Sequence, residues 1–114
     1  MKKAYLVMGT LLLLGGGVGL VQNPVLGLFE VNLLLNLIHL GSGVLTVAAA
    51  FKGIGTMRTW GKLFGFFYLA VAIAGSVVPQ GNFLGLMHLN VPDNVLHVIL
   101  ALFFLYYGLL APPK

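Results

Sequence analysis

Four long apolar stretches limit what this chain can fold into more than any other feature. They run over about residues 4–21, 33–51, 63–78 and 91–111. Each approaches or reaches the roughly 17–25 residues that a helix needs to cross about 30 Å of hydrocarbon. Only 7% of the residues are charged, too few to cover a water-soluble surface. The sequence therefore predicts an integral membrane protein with four transmembrane helices, in contact with the lipid bilayer.

A comparison of the chain with itself at a shift of 58 positions indicates an internal repeat. The segment NLLLNLIH, which begins at Asn32, meets NVPDNVLH, which begins at Asn90, so that two asparagines and one histidine coincide. Further identities occur without a gap: Leu11 with Leu69, Gly17 with Gly75, and Gln22 with Gln80. The predicted fold is all-α, a four-transmembrane-helix bundle built from a tandem repeat of two-helix units. One membrane domain spans 1–114, with repeat one over about 1–56 and repeat two over about 59–114.

The charges predict the orientation of the bundle. All the cations fall on one predicted side: Lys2, Lys3, Lys52, Arg58, Lys62 and Lys114. The two acids, Glu30 and Asp93, fall on the other side. The positive-inside rule then places both termini in the cytoplasm. Because the cations are scattered, they form no basic patch and predict no nucleic-acid partner.

The first asparagine of each motif is predicted to start a helix. Asn32 and Asn90 precede apolar helical segments, and an asparagine side chain accepts from the free N–H groups of a first turn. In the second copy Pro92 suits the first turn, and Asp93 adds an acid at the positive end of the helix dipole.

The remaining polar residues of the motifs are expected to face the interior of the bundle. Asn36 and His39 lie three residues apart on one helical face, as do Asn94 and His97. Polar side chains at this depth favour a protein partner over lipid. The first interpretation is a network of interhelical hydrogen bonds that fixes helix register. Its predicted members, besides the histidines, are Asn32, Asn36, Ser42, Asn90, Asp93 and Asn94.

Two alternatives give the histidines a more specific role. His39 and His97 at one depth are what bis-histidine ligation of haem b requires, and a single histidine can hold the magnesium of a chlorophyll. No bound cofactor is the first expectation, with haem or chlorophyll as the alternatives. Separately, Asp93 lies four residues before His97 and is placed to accept from its imidazole, which would suit a pH- or ion-responsive protein.

Glycines and aromatic residues supply two further expectations. The pairs Gly15 and Gly19, and Gly61 and Gly65, predict close helix packing, either inside the bundle or against another chain. Six aromatic residues of the last two helices are expected to be exposed, facing lipid or else a hydrophobic partner or a pigment ring: Phe64, Phe66, Phe67, Tyr68, Phe103 and Phe104. The chain carries no recognisable catalytic motif and no cysteine, so it is not predicted to be an enzyme.

The stretches LGLFEVNLLLNLIHLGSGVL and NVPDNVLHVILAL resemble the bacterial membrane proteins grouped as domain of unknown function 4383. The resemblance implies a small four-helix membrane fold with a doubled N-x3-N-x2-H pattern, in a bacterial cytoplasmic or internal membrane, and it implies no reaction. The predicted function is a non-enzymatic structural or accessory component, as a homo-oligomer or a subunit of a larger membrane complex. The alternatives are a haem- or chlorophyll-binding electron-transfer subunit and a pH- or ion-responsive protein.

Overall fold

The computed structural model describes residues 1–21, 33–78, 82–83 and 87–112. The described chain forms four helices: α1 (Lys2–Gly19), α2 (Leu33–Lys52), α3 (Ile54–Val77) and α4 (Val91–Leu105). A π-helical turn, Tyr106–Leu110, continues α4. Two short antiparallel strands, β1 (Asn82–Phe83) and β2 (Met87–His88), pair with each other between α3 and α4. The predicted all-α class is therefore confirmed.

Within the described residues, three helical segments are long and apolar enough to cross a membrane by length and composition. These segments are Leu33–Lys52, Ile54–Val77 and Val91–Leu110. The helix α1 has 18 residues, the first two of which are Lys2 and Lys3. Two cations in so short a helix lower its mean hydropathy, and the crossing by α1 stays a prediction.

The helices associate in two pairs, α1 with α2 and α3 with α4, at points where backbones touch. A methyl group on Gly43 would lie 2.9 Å from the carbonyl oxygen of Gly9. A methyl group on Gly61 would lie 2.6 Å from the carbonyl oxygen of Phe104 and 2.9 Å from the nitrogen of Gly108. Backbones can approach this closely only where the residues are small. In lipid no hydrophobic force draws helices together, so close packing of this kind drives their association. The predicted packing at Gly61 is thus inside the bundle.

The main hydrophobic core fills the space between the two pairs. Its buried members are Tyr5, Leu12, Ala49, Ala50, Met57, Tyr68, Leu100, Ala101 and Phe104. The Tyr5 hydroxyl donates to the Met57 carbonyl at 2.5 Å and so joins α1 to α3.

The expectation that six aromatic residues of α3 and α4 are exposed was wrong for two of them. Tyr68 and Phe104 are 0% exposed, whereas Phe66 and Phe67 are 55% and 40% exposed. The inward face of α3 recurs every three or four residues, at 61, 65, 68, 72 and 75, and Tyr68 falls on it.

Local residue chemistry sets two of the helix ends. Gly53 alone separates α2 from α3, with φ 116° and ψ 175°, a conformation that is essentially confined to glycine. Asn90 caps α4: its side chain accepts from the Asp93 amide at 2.9 Å, and the Asp93 carboxylate accepts from the Asn90 amide at 3.1 Å. The predicted cap at Asn32 lies outside the described residues.

Candidate functional site: a histidine pair in the bundle core

Two imidazole rings meet at the centre of the bundle. His39 of α2 and His97 of α4 are 7% and 0% exposed, and their Nε2 atoms lie 3.4 Å apart. The ring centroids are 5.7 Å apart and the ring planes are inclined at 46°. In this N–H···N contact one ring donates and the other accepts. The pair therefore links one helix pair directly to the other.

Tyr68 covers one side of the histidine pair. Its ring centroid lies 5.6 Å from that of His97 at an interplanar angle of 18°, and 6.5 Å from that of His39 at 28°. The Tyr68 hydroxyl donates to Ser42 Oγ at 2.9 Å, and Ser42 in turn donates to the Ile38 carbonyl at 2.5 Å. Both polar groups are thus satisfied inside the bundle.

Tyr68 was not predicted to lie in the polar network, although two features of the sequence place it there. A phenolic hydroxyl in an apolar span needs a partner, which lipid does not supply. Tyr68 also lies three residues after Gly65 and seven before Gly75, both on the inward face of α3.

Thr46 and Trp60 form a second polar contact between α2 and α3. The Trp60 indole Nε1 donates to Thr46 Oγ1 at 2.9 Å, and Thr46 is 0% exposed. Neither residue was a predicted member of the polar network. Both polar groups lie on elements joined by the single residue Gly53, so this contact strengthens the turn between the two helices.

The second asparagine of each motif packs against a glycine of the neighbouring helix. A Cβ atom on Gly19 would lie 2.1 Å from Asn36 Oδ1, and one on Gly75 would lie 2.2 Å from Asn94 Oδ1. Within the described part of the chain, neither oxygen accepts a conventional hydrogen bond. An oxygen in that direction faces a glycine Cα–H group, so each contact is a weak Cα–H···O interaction. Each asparagine therefore lies at the point of closest contact between its helix and the glycine of the neighbouring helix.

The predicted hydrogen bond between Asp93 and His97 does not form. His97 Nδ1 is buried with no hydrogen-bond partner among the described residues. The Asp93 carboxylate instead turns back to the Asn90 amide at the start of α4. The Asp93 carboxylate binds at the helix start because the free N–H groups of a first turn attract a negative charge.

The geometry of the pair does not suit a haem. Bis-histidine ligation needs an open plane for the porphyrin between the two Nε2 atoms, but here the rings are hydrogen-bonded to each other and buried in the packed bundle. Tyr68, stacked on His97, also occupies the space beside the rings. In the described chain no group of three or more His, Cys, Asp or Glu residues is placed to hold a metal ion.

A cavity of about 220 Å³ between α1 and α4 reaches His39. It is smaller than the roughly 300–1,000 Å³ of sites for drug-sized ligands, and a chlorophyll macrocycle is too large for it. The residues present therefore fit neither of the two macrocycles considered.

Comparison with known families supports the resemblance read from the sequence. The family model described as "Domain of unknown function (DUF4383)" matches residues 2–110. No curated protein and no solved structure matches the chain.

Proposed function

We propose that this chain, which belongs to the family described as domain of unknown function 4383, is a non-enzymatic structural or accessory component of a larger membrane assembly. The observation that carries the proposal is the 3.4 Å contact between the Nε2 atoms of His39 and His97. The two side chains best suited to chemistry are bonded to each other in the core. Their role in this proposal is to fix the register of the helices.

The proposed architecture is a duplicated two-helix unit, and the buried faces support it. The inward positions of α1 are 5, 9, 12, 16 and 19, and those of α3 repeat this spacing at 61, 65, 68, 72 and 75. Gly19 and Gly75 each contact a motif asparagine, whereas a Cβ on Gly17 would have no atom within 4 Å. Gly19 therefore corresponds to Gly75. The segment from Gly75 to the second motif is thus two residues longer than the segment from Gly19 to the first motif.

The proposed orientation has both termini in the cytoplasm, and α1 crosses the membrane beside α2. Lys2, Lys3 and Lys52 line one cleft, so the start of α1 lies beside the end of α2. The Arg58 guanidinium donates to the Ala111 carbonyl, which brings the end of the π-helical turn to the same side. This shared cationic end matches the positive-inside rule.

We expect single cysteines to report this orientation, because the chain has none of its own. In intact cells a membrane-impermeant maleimide should label Gln80→Cys, in the predicted outer connection, and leave Lys3→Cys unlabelled. Permeabilising the membrane should expose Lys3→Cys as well. Labelling of Lys3→Cys in intact cells would contradict the proposed orientation.

The outer face of α2 supports contact with another helix. Gly41 lies on that face between Leu37 and Leu45, which are 54% and 50% exposed, and a Cβ on Gly41 would have no atom within 4 Å. A small residue on a lipid-facing surface is typical of helix–helix contacts in membranes. We place the partner, a second copy or another subunit, against this face.

The assembly is tested by the mass of the protein after extraction in a mild detergent. Sedimentation should give a protein mass above the 12.1 kDa of one chain. Gly41→Leu should reduce the mass to that of one chain, because its side chain keeps the partner at a distance. Gly17→Leu, the same change at a position of α1 where a Cβ would also have no atom within 4 Å, is the matched control and should leave the assembly intact. A wild-type protein that sediments as a single chain would overturn the proposal.

A further inference from the structure

The cavity between α1 and α4 has a single polar side chain in its wall. Leu12 and Gly15 line it from α1, Leu96 and Leu100 line it from α4, and His39 lies behind them on α2. Among the described residues that line the cavity, His39 alone carries a polar side chain. The rim includes Leu11 and Ile99, which are 56% and 54% exposed, so the cavity opens towards lipid.

The opposite side of the histidine pair indicates what shape the cavity accepts. Tyr68 lies seven residues before Gly75, and Leu12 lies seven residues before Gly19, so Leu12 takes the place of Tyr68 in the other helix pair. In the same way Leu100 takes the place of Ser42, three residues after the histidine. On one side a flat ring with an oxygen covers the imidazoles, and on the other two leucines leave a cavity. The cavity side of the histidine pair therefore lacks a flat ring, and a ligand that contains one would suit this space.

The hydrogen bond within the pair determines which chemical group His39 offers to the cavity. In a hydrogen bond between the two Nε2 atoms one ring donates, and the neutral ring that accepts carries its single proton on Nδ1. If His39 donated, the proton of His97 would lie on Nδ1, which is buried without a partner among the described residues. A buried N–H group without an acceptor is rarer than an unused acceptor. His97 is therefore the donor, and His39 carries its proton on Nδ1.

This proton makes His39 a hydrogen-bond donor for a ligand. Within the described chain the only hydrogen bond of the His39 side chain is the one to His97 through Nε2. The side chain is 7% exposed and lines the cavity, so Nδ1–H is the polar group that the cavity presents. A suitable ligand needs an acceptor oxygen on an otherwise apolar body.

We propose that this cavity binds the ring of a lipid-soluble quinone, with a carbonyl oxygen accepting from His39 Nδ1–H. The volume suits one six-membered ring, since a cavity of about 150 Å³ in another protein holds benzene. The hydrocarbon tail leaves between Leu11 and Ile99 into the bilayer. This inference goes beyond the proposed function and does not rest on it.

The test uses the full chain in lipid nanodiscs and decylubiquinone as the probe. Equilibrium binding should be saturable, with about one quinone per chain. Decylbenzene, which has a ring and the same tail but no carbonyl, should bind about tenfold more weakly, since one hydrogen bond contributes roughly that factor. Equal binding of the two probes, or binding that never saturates, would overturn the proposal.

Two glycines of α1 provide a matched pair of variants. A Cβ on Gly15 or on Gly17 would have no atom within 4 Å, so both positions accept a side chain without a clash, but only Gly15 lines the cavity. Gly15→Leu should weaken decylubiquinone binding by about tenfold or more, because it fills the space for the ring. Gly17→Leu should bind like the wild type. Equal affinity of the two variants for decylubiquinone would contradict the proposal.

Nitrogen-15 spectra of the histidines test the donor independently of any ligand. His39 should be protonated on Nδ1 and His97 on Nε2, and decylubiquinone should shift the His39 Nδ1 signal. The opposite pair of tautomers would leave the cavity without a donor and would overturn the proposal.

Discussion

Gly108→Ala is expected to lower the free energy of unfolding by about 2 kcal/mol, within the roughly 1–3 kcal/mol that overpacking costs. The added methyl group would lie 2.6 Å from the backbone nitrogen of Lys62 and 2.9 Å from the carbonyl carbon of Gly61. Both are backbone atoms, so no side chain can rotate away to make room. The π-helical turn would have to move off α3. Unfolding in detergent, followed by circular dichroism, measures the effect.

Gly55→Ala is the control for this prediction. Gly55 lies in α3, and a Cβ there would have no atom within 4 Å. Alanine favours a helix over glycine by up to about 1 kcal/mol, so the control should be neutral or slightly more stable than the wild type. If Gly108→Ala and Gly55→Ala had the same free energy of unfolding, the close contact between α3 and the π-helical turn would not be what stabilises the pair of α3 and α4.

The histidine pair predicts a non-additive mutant cycle. His39→Phe or His97→Phe alone should destabilise the protein by about 2 kcal/mol, because each leaves the other imidazole buried without its partner. The double variant should cost less than the sum of the singles by about 1 kcal/mol, since both polar groups are then gone. Phenylalanine keeps a flat ring against Tyr68, so packing changes little.

The same unfolding assay, applied to the wild type and the three variants, completes the cycle. Additive costs would mean that the two rings do not interact across the bundle. That outcome would remove the main support for a register-fixing role of the pair.

The helices themselves followed closely from apolar length. The stretches predicted at 33–51 and 91–111 correspond to Leu33–Lys52 and to Val91–Leu110. The prediction for α3 began at residue 63, whereas the helix begins at Ile54. A hydropathy pattern marks the part of a helix that suits lipid, and α3 continues past it through Arg58 and Lys62 to the turn at Gly53.

The site was only partly accessible from sequence. Identical spacing of Asn and His in the two motifs indicated that His39 and His97 lie at comparable positions, because a helical period fixes which residues share a face. The choice of partner by each side chain was not predictable in this way. Asp93 had two acceptable donors, the helix start and His97, and their competition depends on rotamers that spacing does not determine. Tyr68 follows several phenylalanines in the sequence, so its neighbours did not distinguish it from aromatic residues that face lipid.

The single residue between α2 and α3 limits how the two helix pairs can move. Three consecutive Cα atoms, those of Lys52, Gly53 and Ile54, span at most about 7.6 Å, so these helix ends stay side by side. Any separation of the two helix pairs must therefore be a rotation about this connection. The opening would then be widest at the far tips, beyond the two imidazoles.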